Sequence, residues 1–280
     1  MNALDLGQLL PLLAIAITAG VFGGILAGLL GVGGGIVIVP ALYLALSTAG
    51  MDSAITMQVA VGTSLATIVF TSLSSGYGHF KRGAIDMNLL KLWAPSLLVG
   101  VVIGALLGGY VSGLILVAVF ATVAALVAID MIFRKTKDEP TPRSFAKPVW
   151  AMLGVVTGGL SAMMGIGGGT IGVPLLNFLG YDIRRAVGTS AAIGFIIGLP
   201  GAVVYALTGL GAEGLPPFSL GYVNFAAAAI IIPLTSSFAH VGVKLAHSIP
   251  RRALRFAFGI FLMITSLRMF FDLFEAFSNS

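Results

Sequence analysis

Ten apolar runs, eight long and two short, leave this chain little freedom in what it can become. The long runs lie near Leu9–Leu30, Ala54–Gly76, Leu89–Tyr110, Leu114–Phe133, Val149–Met164, Ala186–Thr208, Tyr222–Ala246 and Ala253–Phe271; the short ones are Ile36–Leu46 and Thr170–Leu179. A spanning helix needs about 20 predominantly apolar residues. In lipid, the backbone has to satisfy its own N–H and C=O groups, which only helices and closed barrels do. Of the 280 residues only 9% are charged, against roughly a quarter in soluble domains, and mean hydropathy is +1.07. The expectation is an all-α polytopic membrane protein.

The same numbers exclude other classes. The 15 Lys and Arg exceed the 10 Asp and Glu, but the excess is divided among short loops, so no basic surface for nucleic acid forms. The chain has no cysteine, which removes disulfides, thiolate zinc sites and thiol chemistry. The opening Met-Asn-Ala-Leu-Asp carries Asp5 and no basic residue ahead of the apolar run, so this segment reads as retained and not as a cleaved signal. No cofactor is implied.

The chain is also internally duplicated. Gly20–Leu42 aligns without gaps on Gly154–Leu176 with 11 identities in 23 positions. The core of the match is Gly31-Val-Gly-Gly-Gly35 against Gly165-Ile-Gly-Gly-Gly169, each followed by Val-Pro at Val39-Pro40 and Val173-Pro174. A second match follows, Ala60-Val-Gly-Thr-Ser64 and Ala186-Val-Gly-Thr-Ser190, at an interval of 20 residues from the proline in the first half and 12 in the second. Repeats of this kind divide the chain into a first transmembrane repeat (1–133), a polar linker (134–147) and a second repeat (148–280).

Five segments per half is an odd number, so the second half is expected to enter the membrane from the opposite side. Charge agrees. Lys81 and Arg82, the linker residues Arg134, Lys135, Lys137, Arg143 and Lys147, then Arg184 and Arg185, and finally Lys244, Arg251, Arg252 and Arg255 all fall on one side under strict alternation. The loops around Asp52, Val111 and Glu213 hold no Lys or Arg. By the positive-inside rule the basic side is cytoplasmic and both termini lie outside. The expected architecture is two inverted repeats of about five segments, eight long spans plus two short or re-entrant half-helices.

Isolated glycines such as Gly104 and Gly108 suit close helix packing. Three in a row at Gly33, Gly34, Gly35 and at Gly167, Gly168, Gly169 remove helix propensity at about 1 kcal/mol each and mark breaks. A broken helix inside a bilayer is tolerated where its backbone lines a cavity or is buried in protein, and the free N–H groups of the following half-helix suit an anion. Matching breaks in two inverted halves point to a transporter's substrate site. Leucine at Gly34 or Gly168 is then expected to abolish transport and leave insertion intact. The pairs Thr63-Ser64 and Thr189-Ser190 can bond their own helix carbonyls; their duplication beside the breaks favours a role in substrate coordination. Arg184 and Arg185 open the segment carrying the second pair and could attract an anion, or serve topology alone.

All ten carboxylates lie in loops or near segment ends, which disfavours a cation path or proton relay built on buried Asp or Glu. His79, His240 and His247 could titrate, with His240 deepest in its run. The glycine strings lack the Lys-Ser/Thr of a P-loop and the spacing of a dinucleotide fingerprint, and no hydrolase motif is present. An enzyme is not expected. Partners are a small anion and the lipid bilayer; a coupling ion (H+ or Na+) and a homo-oligomer stay open.

At these residues the chain resembles the sulfite exporter TauE/SafE family. The likeness rests on Gly24–Gly35 with Val39-Pro40, its copy at Gly158–Gly169 with Val173-Pro174, both Ala-Val-Gly-Thr-Ser strings and the ending Leu254-Arg-Phe-Ala-Phe-Gly-Ile-Phe-Leu262, and it covers essentially the whole chain. The resemblance implies a multi-pass plasma-membrane permease of prokaryotic type for small sulfur-containing anions such as sulfite, sulfoacetate or sulfolactate. Alternating access around Gly33–Gly35 and Gly167–Gly169 is the expected mechanism; an anion channel lined by the same breaks, and a cation or metal permease, are the rivals.

Overall fold

The computed structural model describes residues 6–133, 146–245 and 250–278. Among them are ten α-helices: α1 (Leu6–Leu30), α2 (Gly35–Thr48), α3 (Ser53–Phe80), α4 (Met87–Tyr110), α5 (Gly113–Phe133), α6 (Lys147–Met164), α7 (Gly169–Phe178), α8 (Ile183–Thr208), α9 (Phe225–Leu245) and α10 (Arg251–Ser278). Each apolar run became one helix, with ends shifted by a few residues. Six stretches are long and apolar enough to cross a membrane: Leu13–Leu30, Ala54–Phe80, Met87–Tyr110, Gly113–Phe133, Ile183–Thr208 and Phe225–Leu245. The chain is a polytopic membrane protein. The expected count of eight long spans included α6 and α10, which are not among those six; α6 has 18 residues with Lys147 at its start, and α10 carries Arg268, Asp272 and Glu275 among its apolar residues. Most of the expected linker, and His247, lie outside the described residues.

One element departs from an all-helical reading. In the α8–α9 connection β1 (Ser219–Leu220) pairs antiparallel with β2 (Val223–Asn224), Ser219 opposite Asn224 and Leu220 opposite Val223. Gly221, at φ +53, turns this hairpin; two-residue strands are too short to show a period.

Helix starts have readable causes. Asp52, Asp86 and Asp182 are the N-caps of α3, α4 and α8, their carboxylates accepting from Ala54 N, from Asn88 N and Leu89 N, and from Arg184 N and Arg185 N. Three acids placed in loops thus satisfy otherwise unpaired helix N–H groups.

The helices pack across the two halves. α1 lies along α9 and α4 along α6; α3 packs on α8 and α5 on α10; α3 also lies along α9 and α4 along α8. Exchanging the halves maps these six pairs onto one another. Glycines make the long contacts close. A Cβ at Gly24 would lie 2.8 Å from Thr235 Cα, and one at Gly100 2.7 Å from Val155 Cα. Gly104 packs on Gly159 and Gly108 on Tyr205, the close approach that small residues permit.

The same contacts fix direction. Gly20 meets Leu234 and Gly28 meets Val243, so α1 and α9 run parallel; Gly154 meets Trp93 and Gly104 meets Gly159, so α4 and α6 do too. Gly76 faces Ala191, Gly194 faces Ser72 and Gly201 faces Leu65, which makes α3 and α8 antiparallel. Ser266 donates to Ala121 O while Gly259 packs on Ile132, so α5 and α10 are also antiparallel. Trp93, Phe120, Tyr205, Ile36, Ile38 and Leu65 fill the core, while α10 turns Ile264, Leu267, Phe271 and Phe274 outward. An apolar outer surface of that extent suits lipid.

Candidate functional site

The two glycine strings meet. α1 ends at Leu30, and Gly31, Gly33 and Gly34 then take φ of +67, +72 and +82, a region a side chain rarely enters. In the second string only Gly165, the C-cap of α6, does so, at φ +65, while Gly168 is helical at φ −56. There glycine is required by crowding. A Cβ at Gly167 would lie 2.6 Å from Val32 O, and one at Gly169 would run into the Gly31 carbonyl. The duplicated string therefore serves conformation in one half and close approach in the other.

Contact between the breaks is direct: a Cβ at Gly33 would lie 3.2 Å from Gly167 Cα. Residues 27–39 and 164–170 are all buried. Gly35, the first residue of α2, abuts the Gly165 carbonyl at the end of α6, and Gly169, the first of α7, abuts the Gly31 carbonyl at the end of α1. Neither Gly34 nor Gly168 supplies a side-chain cap. The first four N–H groups of a helix have no intrahelical acceptor, so two positive helix ends, about half a charge each, are brought together in the protein interior. Leucine at Gly34 or Gly168 would meet this packing before it met a substrate: a Cβ at Gly34 lies 2.9 Å from Gly23 O, and at Gly168 it strikes Ile193. Those substitutions report on folding as much as on transport.

The hydroxyls sort into matched and unmatched pairs. Thr63 Oγ1 accepts from Asn224 N and Thr189 Oγ1 from Asp86 N, both at 2.9 Å. Each threonine thus anchors the N-terminus of the fourth helix of the other half. Ser64 Oγ donates to Gly165 O at 2.7 Å, tying α3 to the opposite break. Its twin Ser190 makes no such bond; Ser190 Oγ is buried without a partner and lies 2.9 Å from where a Cβ on Gly172 would stand, against the first turn of α7. Thr170 Oγ1, on that turn, is also buried and unpartnered, as are Ser161 Oγ in the last turn of α6 and Ser72 Oγ, which packs on Gly194 one turn along α8 from Ser190. Sequence reasoning missed Thr170, Ser161 and Ser72. The first two were legible in the repeat alignment, where they replace Ile36 and Ala27.

Arg184 is not at the breaks. It is exposed at the start of α8, six residues before Ser190, a rise of about 9 Å. Arg185 beside it reaches Asp86 Oδ2 at 3.7 Å. The α3–α4 connection with Lys81 and Arg82 therefore lies at the same end of the molecule as Arg184 and Arg185. Tyr181, in the α7–α8 connection there, stacks edge-on to Trp150 at 6.1 Å; burial first, and the Asp86 carboxylate second, push its phenol above the ordinary value, so it stays protonated. At the opposite end Gln58 Nε2 donates to Val111 O, and Gly214 meets Ile55, which gathers the three loops without Lys or Arg. Of the described histidines, His79 is buried, with Nε2 3.2 Å from Gly28 O. His240, the deepest in its run by sequence, is exposed, with Nδ1 3.0 Å from Ser74 Oγ.

Comparison with known proteins fits this arrangement. The family model for the sulfite exporter TauE/SafE matches residues 16–269. A probable membrane transporter protein of Haemophilus influenzae is 33% identical over 257 residues, 91% of this chain and 97% of that protein. One of Methanocaldococcus jannaschii is 29% identical over 94% of this chain and 97% of its own length, and Bacillus subtilis YunE, also a probable membrane transporter protein, is 28% identical over 70% and 78%. No solved structure matches the chain. A family model that covers nearly all of the described helices, with two relatives alike over more than nine tenths of both chains, leaves one conclusion: the chain belongs to the sulfite exporter TauE/SafE family.

Proposed function

We propose that this membrane transporter is a secondary carrier moving a small sulfur-containing anion, sulfite or an organosulfonate such as sulfoacetate, across the plasma membrane by alternating access. The observation that carries the reading is the meeting of the two glycine breaks, with the capless N-termini of α2 and α7 at the junction. Helix N-termini are anion sites, and paired broken helices are how carriers build a midplane site. The antiparallel courses of α3 against α8 and α5 against α10, and the way the main helix pairs map onto one another when the halves are exchanged, support two inverted repeats. Such repeats give alternating access a physical basis, since two equivalent packings of one architecture differ little in energy. With the breaks in contact, Gly33–Gly35 and Gly167–Gly169 close the path; a carrier cycle separates them. Thr63, Ser64 and Thr189 hold the halves in register around the site, and Ser190 faces it. Arg184, exposed at the basic end beside Lys81 and Arg82, raises the local anion concentration.

The test is counterflow in proteoliposomes. Vesicles preloaded with unlabelled sulfite are expected to accumulate radiolabelled sulfite transiently and to saturate with concentration. Flux that rises linearly without counterflow would establish a channel instead, and flux of divalent metal ions alone would establish the cation rival.

A further inference from the structure

We propose that the anion site is one-sided: it is built on the second-half hairpin, where the backbone N–H groups at the start of α7 and the hydroxyls of Thr170 and Ser190 take a singly charged sulfonate-type oxyanion. This rests on the transport reading above and adds which half binds and what charge it accepts.

The duplication supplies an internal control. Both Ala-Val-Gly-Thr-Ser strings hold their threonine in the same way, yet Ser64 Oγ has a carbonyl acceptor at 2.7 Å and Ser190 Oγ has none. Around the first break the positions equivalent to Thr170 and Gly172 are Ile36 and Ile38, each 0% exposed and part of the apolar core. Around the second, Thr170 is 1% exposed and Ser190 0%, and both hydroxyls lack partners. A buried polar group without a hydrogen bond is uncommon and asks for an explanation. Two of them at one helix N-terminus, Thr170 on its first turn and Ser190 packed against it, are explained together by a ligand that accepts hydrogen bonds. An oxyanion does: each sulfonate oxygen takes a donated O–H or N–H, and the hydroxyls need only rotate. A Cβ on Gly172 would lie 2.9 Å from Ser190 Oγ, so glycine there is what lets that hydroxyl come up against the first turn of α7.

The donors are neutral. The α7 N-terminus supplies only about half a positive charge, which favours a monoanion such as methanesulfonate or hydrogen sulfite and leaves the second negative charge of a dianion uncompensated in a dry interior. The site thus narrows the proposed substrates to hydrogen sulfite and simple sulfonates and sets aside sulfoacetate, a dianion at neutral pH.

The experiment uses the full chain in proteoliposomes, with methanesulfonate as the monoanion at every working pH and sulfate as the dianion. Ser190→Ala and Thr170→Val are each expected to raise the methanesulfonate KM about tenfold, the loss of one hydrogen bond to a charged group. Thr170→Ser, which keeps the hydroxyl, retains the wild-type KM. Ser266→Ala breaks the remote bond to Ala121 O and lowers the melting temperature without moving KM. Methanesulfonate transport is expected to be flat between pH 6 and 8, and sulfite transport to rise toward acid as hydrogen sulfite forms. Wild-type KM in both Ser190→Ala and Thr170→Val would overturn the one-sided site while leaving anion transport in place, and sulfate transported as well as methanesulfonate would overturn the charge assignment. Wild-type vesicles that move no oxyanion at all would overturn the transport reading and this site with it.

Discussion

The two serines of the duplicated string should respond oppositely to the same substitution. Ser64 Oγ donates to the Gly165 carbonyl at 2.7 Å with the serine fully buried. Ser64→Ala removes the donor and leaves that carbonyl, at a left-handed glycine C-cap, without it. Stranding a buried hydrogen-bonding group costs about 1–3 kcal/mol. Chains of 150–250 residues lose about 2–4 °C of melting temperature per kcal/mol, so the expected fall is roughly 2–12 °C. Ser190→Ala removes a hydroxyl that makes no bond. The wild-type protein already bears the desolvation of that group, about 1–3 kcal/mol, so the substitution is expected to be neutral or to raise the melting temperature. The assay is thermal unfolding of the detergent-purified protein without ligand, all variants at one scan rate because membrane proteins unfold irreversibly. Equal falls in both variants would refute the reasoning, since they would mean that Ser190 is as well bonded as Ser64.

Three further outcomes follow from the packing and the caps. Gly100→Val places a side chain on Val155, where even a Cβ would stand 2.7 Å from the Cα; it should cost several times the about 1–3 kcal/mol of ordinary overpacking and abolish the monodisperse peak in size-exclusion chromatography. Asp86→Ala removes the cap that accepts from Asn88 N and Leu89 N and the partner of Arg185. Its expected loss is about 1–2 kcal/mol, read as a lower melting temperature; Asp86→Asn, which keeps a capping oxygen, should recover most of it. Trp93→Phe deletes the bond from Trp93 Nε1 to Trp150 O at 3.0 Å, and about 1 kcal/mol of destabilisation is expected in the same melt.

Helix number, the two short helices and the places of the breaks were legible in the sequence because lipid forbids most alternatives to a helix and three glycines break one wherever they occur. Small residues such as Gly104 were read as packing positions for the same reason, without knowing their partners. The partners themselves were not legible. Thr63 and Thr189 looked like substrate ligands beside the breaks, but their hydroxyl oxygens accept from Asn224 N and Asp86 N, residues more than a hundred positions away that only the interlocked halves bring near. Arg184 looked close to the site because sequence distance along one helix hides direction; it faces out at the basic end while Ser190 is buried. His240 lies inside an apolar run yet is exposed, because periodicity in a helix apolar all round does not say which face turns inward. Asp52, Asp86 and Asp182 could have been read as caps from their place just before a helix.

Duplication also permits a reciprocal swap. Ile36 and Thr170 occupy equivalent positions in the first turns of α2 and α7, and both are buried. Were the hairpins interchangeable, each position would tolerate the other's residue. The structure makes them unequal, because Ile36 packs in the apolar core while Thr170 presents a hydroxyl that nothing in the protein engages. Ile36→Thr removes part of a packed side chain, at about 0.5–1.5 kcal/mol, and buries a new hydroxyl, at about 1–3 kcal/mol; the sum, roughly 2–4 kcal/mol, is a fall in melting temperature of several degrees. Thr170→Val nearly conserves volume and removes an unsatisfied group, so its melting temperature should hold or rise while anion affinity falls. If instead Ile36→Thr melts like wild type and transports with a lower KM, the first hairpin is as ready to bind as the second, and the site is shared between the halves.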